Sequence, residues 1–189
     1  LRSFIDYDIY VQKYDNGGNP QWTEPILVVD NFLADDKPIA AVSGLNGGIV
    51  IAYDSGDFTG TKIYATGLSG SGSITFNEPL CSNDSQQEVE SALRTDSGVL
   101  VVFTDLRSGS SDLYGQMIGF DGSILSTSEG FLISDSPNDQ RNSSSVLFDS
   151  DTVLICWEDF QNGNDYDISC NDLNLTNQSL GVEYFLSSA

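Results

Sequence analysis

Histidine is absent from the 189 residues. That absence excludes a Ser-His-Asp or Cys-His nucleophile, and any His-ligated zinc or iron, built within this chain. Basic residues are scarce: seven Lys and Arg stand against 28 Asp and Glu, for a formal charge of −21. Such a charge repels phosphate, so nucleic acid and anionic membranes are not expected as partners. The acids serve first to keep an exposed protein soluble, and metal cations or basic surfaces are the more natural counterparts if there is one. Long apolar runs are also missing. Nothing approaches the roughly 20 residues of a bilayer-spanning helix, so membrane insertion is not expected. The opening LRSFIDYDIY has neither Met nor an apolar leader and reads as the start of a mature or excised segment.

Cysteine is limited to three residues without close metal-binding spacing. Cys156 and Cys170 flank a predicted hairpin that could place them opposite each other across two strands. Such a pair is open to two readings, a disulfide or two free cysteines serving as small core residues. Cys81 is expected to be buried and unpaired. No window of 12 or more residues has helical periodicity.

What the chain does have is a repeat. GVLVVFTDLRSGSSDLYGQMIGFDGSI (98–124) is the clearest copy, TVLICWEDFQNGNDYDISCNDLN (152–174) a second, and GIVIAYDSGDFTGTKIYATGLSGSGSI (48–74) a more worn third. A fourth opens the chain, where Leu1 and Arg2 match Leu106 and Arg107 and DYDIYVQKYDNGG follows SDLYGQMIGFDG. The anchors Ile9, Ile63, Leu113 and Ile168 are spaced 54, 50 and 55 residues apart.

Each copy reads as strands. Gly98 to Thr104 is a nearly continuous apolar run, the pattern of a strand buried on both faces. Asp112 to Gly119 alternates, and DLRSGSS between them is a turn by composition. A third strand is expected near EGFLISDS (129–136), NEPLCSND (77–84) and GVEYFLSS (181–188). The last is short: PIAAVSG (38–44), EVESALR (88–94) and SSSVLF (143–148). Four short strands per ~50 residues, repeated, predict an all-β chain of β-propeller blades, each of four antiparallel strands. The expected division is a half blade of outer strands (1–37) and blades at 38–87, 88–142 and 143–189, about 3.5 blades forming part of one propeller.

Phe103, Trp157 and Tyr53 end equivalent strands and are expected to pack between neighbouring blades, with Tyr10, Tyr64 and Tyr114 one strand over. Asp105 and Arg107 can hold the turn by a charge-assisted hydrogen bond. Acids gather in the same turn: Asp6 and Asp8, Asp105 and Asp112, and Asp159, Asp165 and Asp167 with Asn162 and Asn164. Hard cations want oxygen ligands, so Asp159, Asp165 and Asp167 are the candidate calcium set; Asp and Asn are equally the default residues of turns. No other cofactor is expected. A glycosidase would place paired carboxylates on the innermost strands. Those strands offer only Glu88 and Glu90, in one blade, so no catalytic residue is assigned. Asn83, Asn142, Asn174 and Asn177 begin N-x-S/T sequons.

At WEDFQNGNDYDI, FTDLRSGSSDLYGQMIGFDG and above all DIYVQKYDNGGNPQW (8–22), the chain resembles a known repeat. It is the W-x-D-x-R…D-I-Y-x-Q…D-x-x-G propeller repeat of large secreted and surface proteins of bacteria, often exported by the type IX system. FTDLRSGSSDLY also looks like the blade signature of Tol-Pal-type periplasmic propellers. DNGGNPQW has a fainter likeness to the sialidase Asp-box, without its spacing or an arginine triad. The resemblance implies an extracellular or cell-surface setting, with the periplasm as alternative. The residues themselves lead to the expectation of a non-catalytic scaffold, adhesion or binding module. About 3.5 blades cannot close a ring, so other chains or the rest of a longer protein are expected to complete it. The competing reading is a carbohydrate-active propeller, lectin or hydrolase, with glycans as ligands and key residues partly outside this chain.

Overall fold

Short runs of β-branched and aromatic residues, cut by Gly, Asn and Asp turns, leave the chain little alternative to strands. The computed structural model describes residues 7–30, 35–57 and 59–187. Among them are fifteen strands and no helix. A two-stranded sheet, β1 (Ile9–Val11) and β2 (Ile26–Val29), comes first. Sheet I follows, with β3 (Asp35–Ser43), β4 (Ile49–Asp57), β5 (Gly60–Leu68) and β6 (Ile74–Pro79) neighbouring in chain order. Sheet II repeats that order with β7 (Gln87–Arg94), β8 (Gly98–Asp105), β9 (Asp112–Gly119) and β10 (Phe131–Ser134). Sheet III runs β11 (Gln140–Leu147), β12 (Thr152–Asp159) and β13 (Asp167–Asn174). Its outer edge is shared by β14 (Ser179–Leu180) and β15 (Tyr184–Ser187), both paired to β13. All these pairings are antiparallel.

The sheets stack face to face, and the stacking makes three cores. Ile9, Val28 and Val29 meet Ile51, Tyr53 and Leu68 of sheet I. From its other face sheet I sends Val50, Ala52 and Ile63 against Val99, Val101 and Phe103 of sheet II. Sheet II in turn presents Leu100, Val102 and Leu113 to Val153, Ile155 and Trp157 of sheet III. Strand β8 is therefore buried on both faces along its length. The first strands of the three sheets, β3, β7 and β11, lie side by side, β7 touching both others. Tyr53, Phe103 and Trp157 are at most 1% exposed, so the aromatic at the end of each run is an inter-sheet core residue.

The strands also depart from the expected boundaries in places. The strand read at 77–84 lies earlier and its regular pairing stops at Pro79, which lacks an N–H; Leu80 adds one further bond, to the Ile63 carbonyl at 3.0 Å. Leu80 and Cys81 beyond it are buried all the same. Strand β3 starts three residues before Pro38, so Asp36, a buried residue, belongs to an innermost strand. Each innermost strand carries an irregular step, between Pro38 and Ala40, Val89 and Ser91, and Arg141 and Ser144. Such bulges free backbone N–H groups from the ladder.

Candidate functional site

The turn between β8 and β9 is held by charge. Asp105 is fully buried and accepts hydrogen bonds from the Arg107 backbone N–H (2.7 Å), Arg107 Nη2 (2.6 Å) and Gln87 Nε2 (3.1 Å). It also pairs with the Ser85 hydroxyl. Burial pushes the Asp105 carboxyl upward, but the bonds from Arg107 and Ser85 outweigh it and hold the group below its ordinary range. The guanidinium lies 4.0 Å from the centroid of the Tyr114 ring, which stacks on Phe103 with centroids 5.8 Å apart. Cys81, a free and buried thiol, accepts a further contact from Arg107 Nη2 at 3.5 Å.

Sheet III keeps the acid and loses the cation. Asp159 matches Asp105 and is equally buried, but Gln161 occupies the place of Arg107. Asp159 accepts from the Gln161 backbone N–H (3.1 Å), Gln140 Nε2 (3.4 Å) and the Ser169 hydroxyl (3.2 Å). Asp167 stands directly opposite Asp159 in the ladder. Asn162 Nδ2 bridges Asp165 (2.6 Å) and Asp167 (3.1 Å). The carboxylates of the candidate calcium set are thus bonded by amide and hydroxyl donors. Among the described residues no group of three or more His, Cys, Asp or Glu is placed to hold a metal ion. Of the other turn acids, Asp105 and Asp112 are likewise opposed across a ladder; Asp6 lies outside the described residues.

Glu88 and Glu90 sit on β7, and a third acid joins them that sequence reasoning passed over. Asp54, at the end of the β4 run, reaches across to sheet II and accepts the Val89 N–H at 2.7 Å. Burial pushes its carboxyl up to about 6, with Glu88 and Glu90 adding repulsion and the Val89 bond and Lys37 opposing. Glu90 repeats the device one sheet on, accepting the Ser143 N–H at 3.2 Å, and burial raises it too. Both N–H groups lie at the bulges of the innermost strands. These acids act as clamps between sheets. The signal for Asp54 was its position in the repeat, where Thr104 and Glu158 are also polar.

The far face of sheet III departs from the pattern of the other described sheets. Strand β12 buries Val153, Ile155, Trp157 and Asp159, but leaves Leu154, Cys156 and Glu158 half-buried. Cys156 and Cys170, opposed in the ladder, form a disulfide on that face. Gly115 is the counterpart of Cys170, and a Cβ there would come within 2.5 Å of the Phe131 ring. Tyr184 pairs with Cys170 as Phe131 pairs with Gly115, and is 39% exposed. Val146, beside Leu154 in the ladder, is 55% exposed. The repeat anchor shows the same break: Ile9, Ile63 and Leu113 are 2%, 1% and 0% exposed, each covered by the next sheet, while Ile168 is only half-buried. The sequence matches no family model and no curated protein.

Proposed function

We propose that this chain is a non-catalytic segment of a β-propeller, of the secreted or cell-surface repeat type it resembles. In this reading it serves as a scaffold, adhesion or binding module. Its open sheet face receives a further sheet of the same kind. The observation that carries the reading is the repeat anchor. Three copies are sealed by the aromatic-bearing face of the following sheet, and the fourth presents the same strand pattern to solvent. Leu154, Ile168, Val146 and Tyr184 stand on this face, with Asp172 opposite Leu154 and Glu158 opposite Ile168, a mixed surface whose apolar residues would be covered by a partner sheet. The inner carboxylates support the non-catalytic part of the reading, because Asp54 and Glu90 are each spent on a neighbouring sheet's backbone N–H.

A chromogenic glycoside panel and light scattering, applied to the protein from its source, test both halves. The proposal expects no turnover and a particle heavier than the 20.4 kDa of these residues. Turnover abolished by Glu88→Gln would replace it with the hydrolase reading, and a stable 20.4 kDa monomer would overturn the assembly.

A further inference from the structure

The two-stranded sheet holds the place of a whole sheet with half of its strands. Strand β1 carries the repeat anchor Ile9 and so matches β5, β9 and β13, the third strands of sheets I to III. Among the described residues β1 pairs with β2 alone. The half-sheet is seated as a full sheet is. The Asp36 N–H of β3 donates to the Tyr7 carbonyl at 3.0 Å, as the Gln140 N–H of β11 donates to the Ser111 carbonyl at 2.7 Å between sheets II and III.

Along its inner edge β1 lacks the cover that its counterparts have. Tyr10 is 59% exposed. Tyr64 and Tyr114 are half-buried, stacked on Tyr53 and Phe103 with ring centroids 5.5 and 5.8 Å apart. Gln12 is half-buried where Thr66 and Gln116 are fully buried. The facing side of sheet I shows the same deficit. Ile49 is half-buried and Ala41 exposed, whereas their counterparts Val99 and Ala92 pack into the core between sheets I and II. A cleft of about 170 Å³ opens at this junction, with Val11 and Trp22 of the half-sheet and Ile49 of sheet I in its wall.

In each full sheet the second strand fills this position, through IAYD (51–54), VVFT (101–104) and ICWE (155–158). The ladders put a branched aliphatic residue opposite the counterpart of Gln12 and a small apolar one opposite that of Val11. An aromatic stands opposite the counterpart of Tyr10, and a polar residue opposite that of Ile9. These three strands are seated in their own sheets, so none of them is free to fill the slot. An unpaired strand edge beside an apolar cleft is the setting for strand addition, in which backbone bonds give affinity and alternate side chains give selectivity.

We infer that the inner edge of β1 accepts an extended segment of a partner protein as an added antiparallel strand. The segment has the order aliphatic, small apolar, aromatic, polar, and its aromatic ring stacks on Tyr10. The inference deepens the reading of the chain as a propeller segment and binding module, and rests on it. It concerns the edge of β1, at the opposite end of the stack from the open face of sheet III.

The peptide GVLVVFTD, the sequence of β8, is the probe, made with a short Lys tail for solubility. Hydrogen–deuterium exchange read by mass spectrometry should show residues 7–13 exchanging several-fold more slowly when the peptide is added. Three controls should lose the protection: a scrambled peptide with the same tail, the peptide with its Phe replaced by Ser, and the peptide N-methylated at alternate amides. Tyr10→Ala should weaken the response while exchange in sheets I to III is unchanged. No protection of residues 7–13, or equal protection by the scrambled or N-methylated peptide, would overturn the inference. In the protein from its source, lysine-reactive cross-linking at Lys13 should reach a second chain. A link instead to a segment of the same polypeptide outside residues 1–189 would overturn the assignment to a partner. Particle mass reads the assembly at sheet III separately, so failure at the β1 edge and failure of the module are told apart.

Discussion

Asp54 accepts the backbone N–H of Val89 at 2.7 Å across the junction of sheets I and II. It ties one sheet to the bulge of the next and leaves a carboxyl buried between them. Its folded pKa is raised from 3.8 to about 6, first by burial. A raised carboxyl binds its proton more tightly in the folded state, so its contribution to stability is fully present below 3.8 and is lost as pH rises through about 6. The expected outcome is that Asp54→Asn differs most from wild type in the slope of stability against pH inside that window. Parallel wild-type and Asp54→Asn curves from denaturant titrations across that window would show that Asp54 is not the group responsible.

The Asp105–Arg107 pair predicts opposite effects at two matched positions. Arg107→Gln leaves Asp105 buried without its cation, a change that costs about 3–5 kcal/mol when a buried pair is broken. Gln161→Arg offers Asp159 the guanidinium its counterpart has, and should stabilise by about 1 kcal/mol through a charge-assisted bond. Both are read as midpoints in urea. A stabilising Arg107→Gln would remove the account of this turn.

Much of this architecture was legible because the repeat fixes it. Val99 to Phe103 had to be buried on both faces, and the aromatics of Tyr53, Phe103 and Trp157 had to seal the junctions, since each position recurs where a strand must meet a neighbour. The Asp105–Arg107 turn was legible from an acid and a base two residues apart in a turn, and the facing of Cys156 and Cys170 from the hairpin they flank. The inter-sheet clamps were not legible. Whether Asp54 reaches solvent or a neighbour's N–H depends on the bulge in β7, and a one-residue irregularity leaves no trace in an alternating pattern. The regular pairing of β6 stops at Pro79, which cannot donate, while the Leu80 N–H still reaches the Ile63 carbonyl of β5 at 3.0 Å. Nothing local announced the cleft beside β1, which arises from how whole sheets stack.

The Cys156–Cys170 disulfide closes a separation of 14 residues. Loops of that size are stabilised by about 3 kcal/mol in the chain-entropy account. Replacing both cysteines with Ala should therefore lower the unfolding free energy by about that amount without changing the sheet order. Peptide mapping under non-reducing conditions checks the bond, and a denaturant titration checks its contribution.

Trp157 fills the junction of sheets II and III and is 1% exposed. Its Nε1 lacks a hydrogen-bond partner, so its contribution is packing. Trp157→Ala should cost about 3–5 kcal/mol, as for other large buried aromatics. A loss below about 1 kcal/mol would mean that the ring does not seal this junction.

The central claim is that the far face of sheet III is covered by another sheet in the working protein. Oxidative footprinting read by mass spectrometry tests it most directly, comparing the protein from its source with the isolated 189-residue chain. The account predicts that Leu154, Val146 and Tyr184 are labelled in the isolated chain and strongly protected in the source material. Equal labelling in both would contradict it.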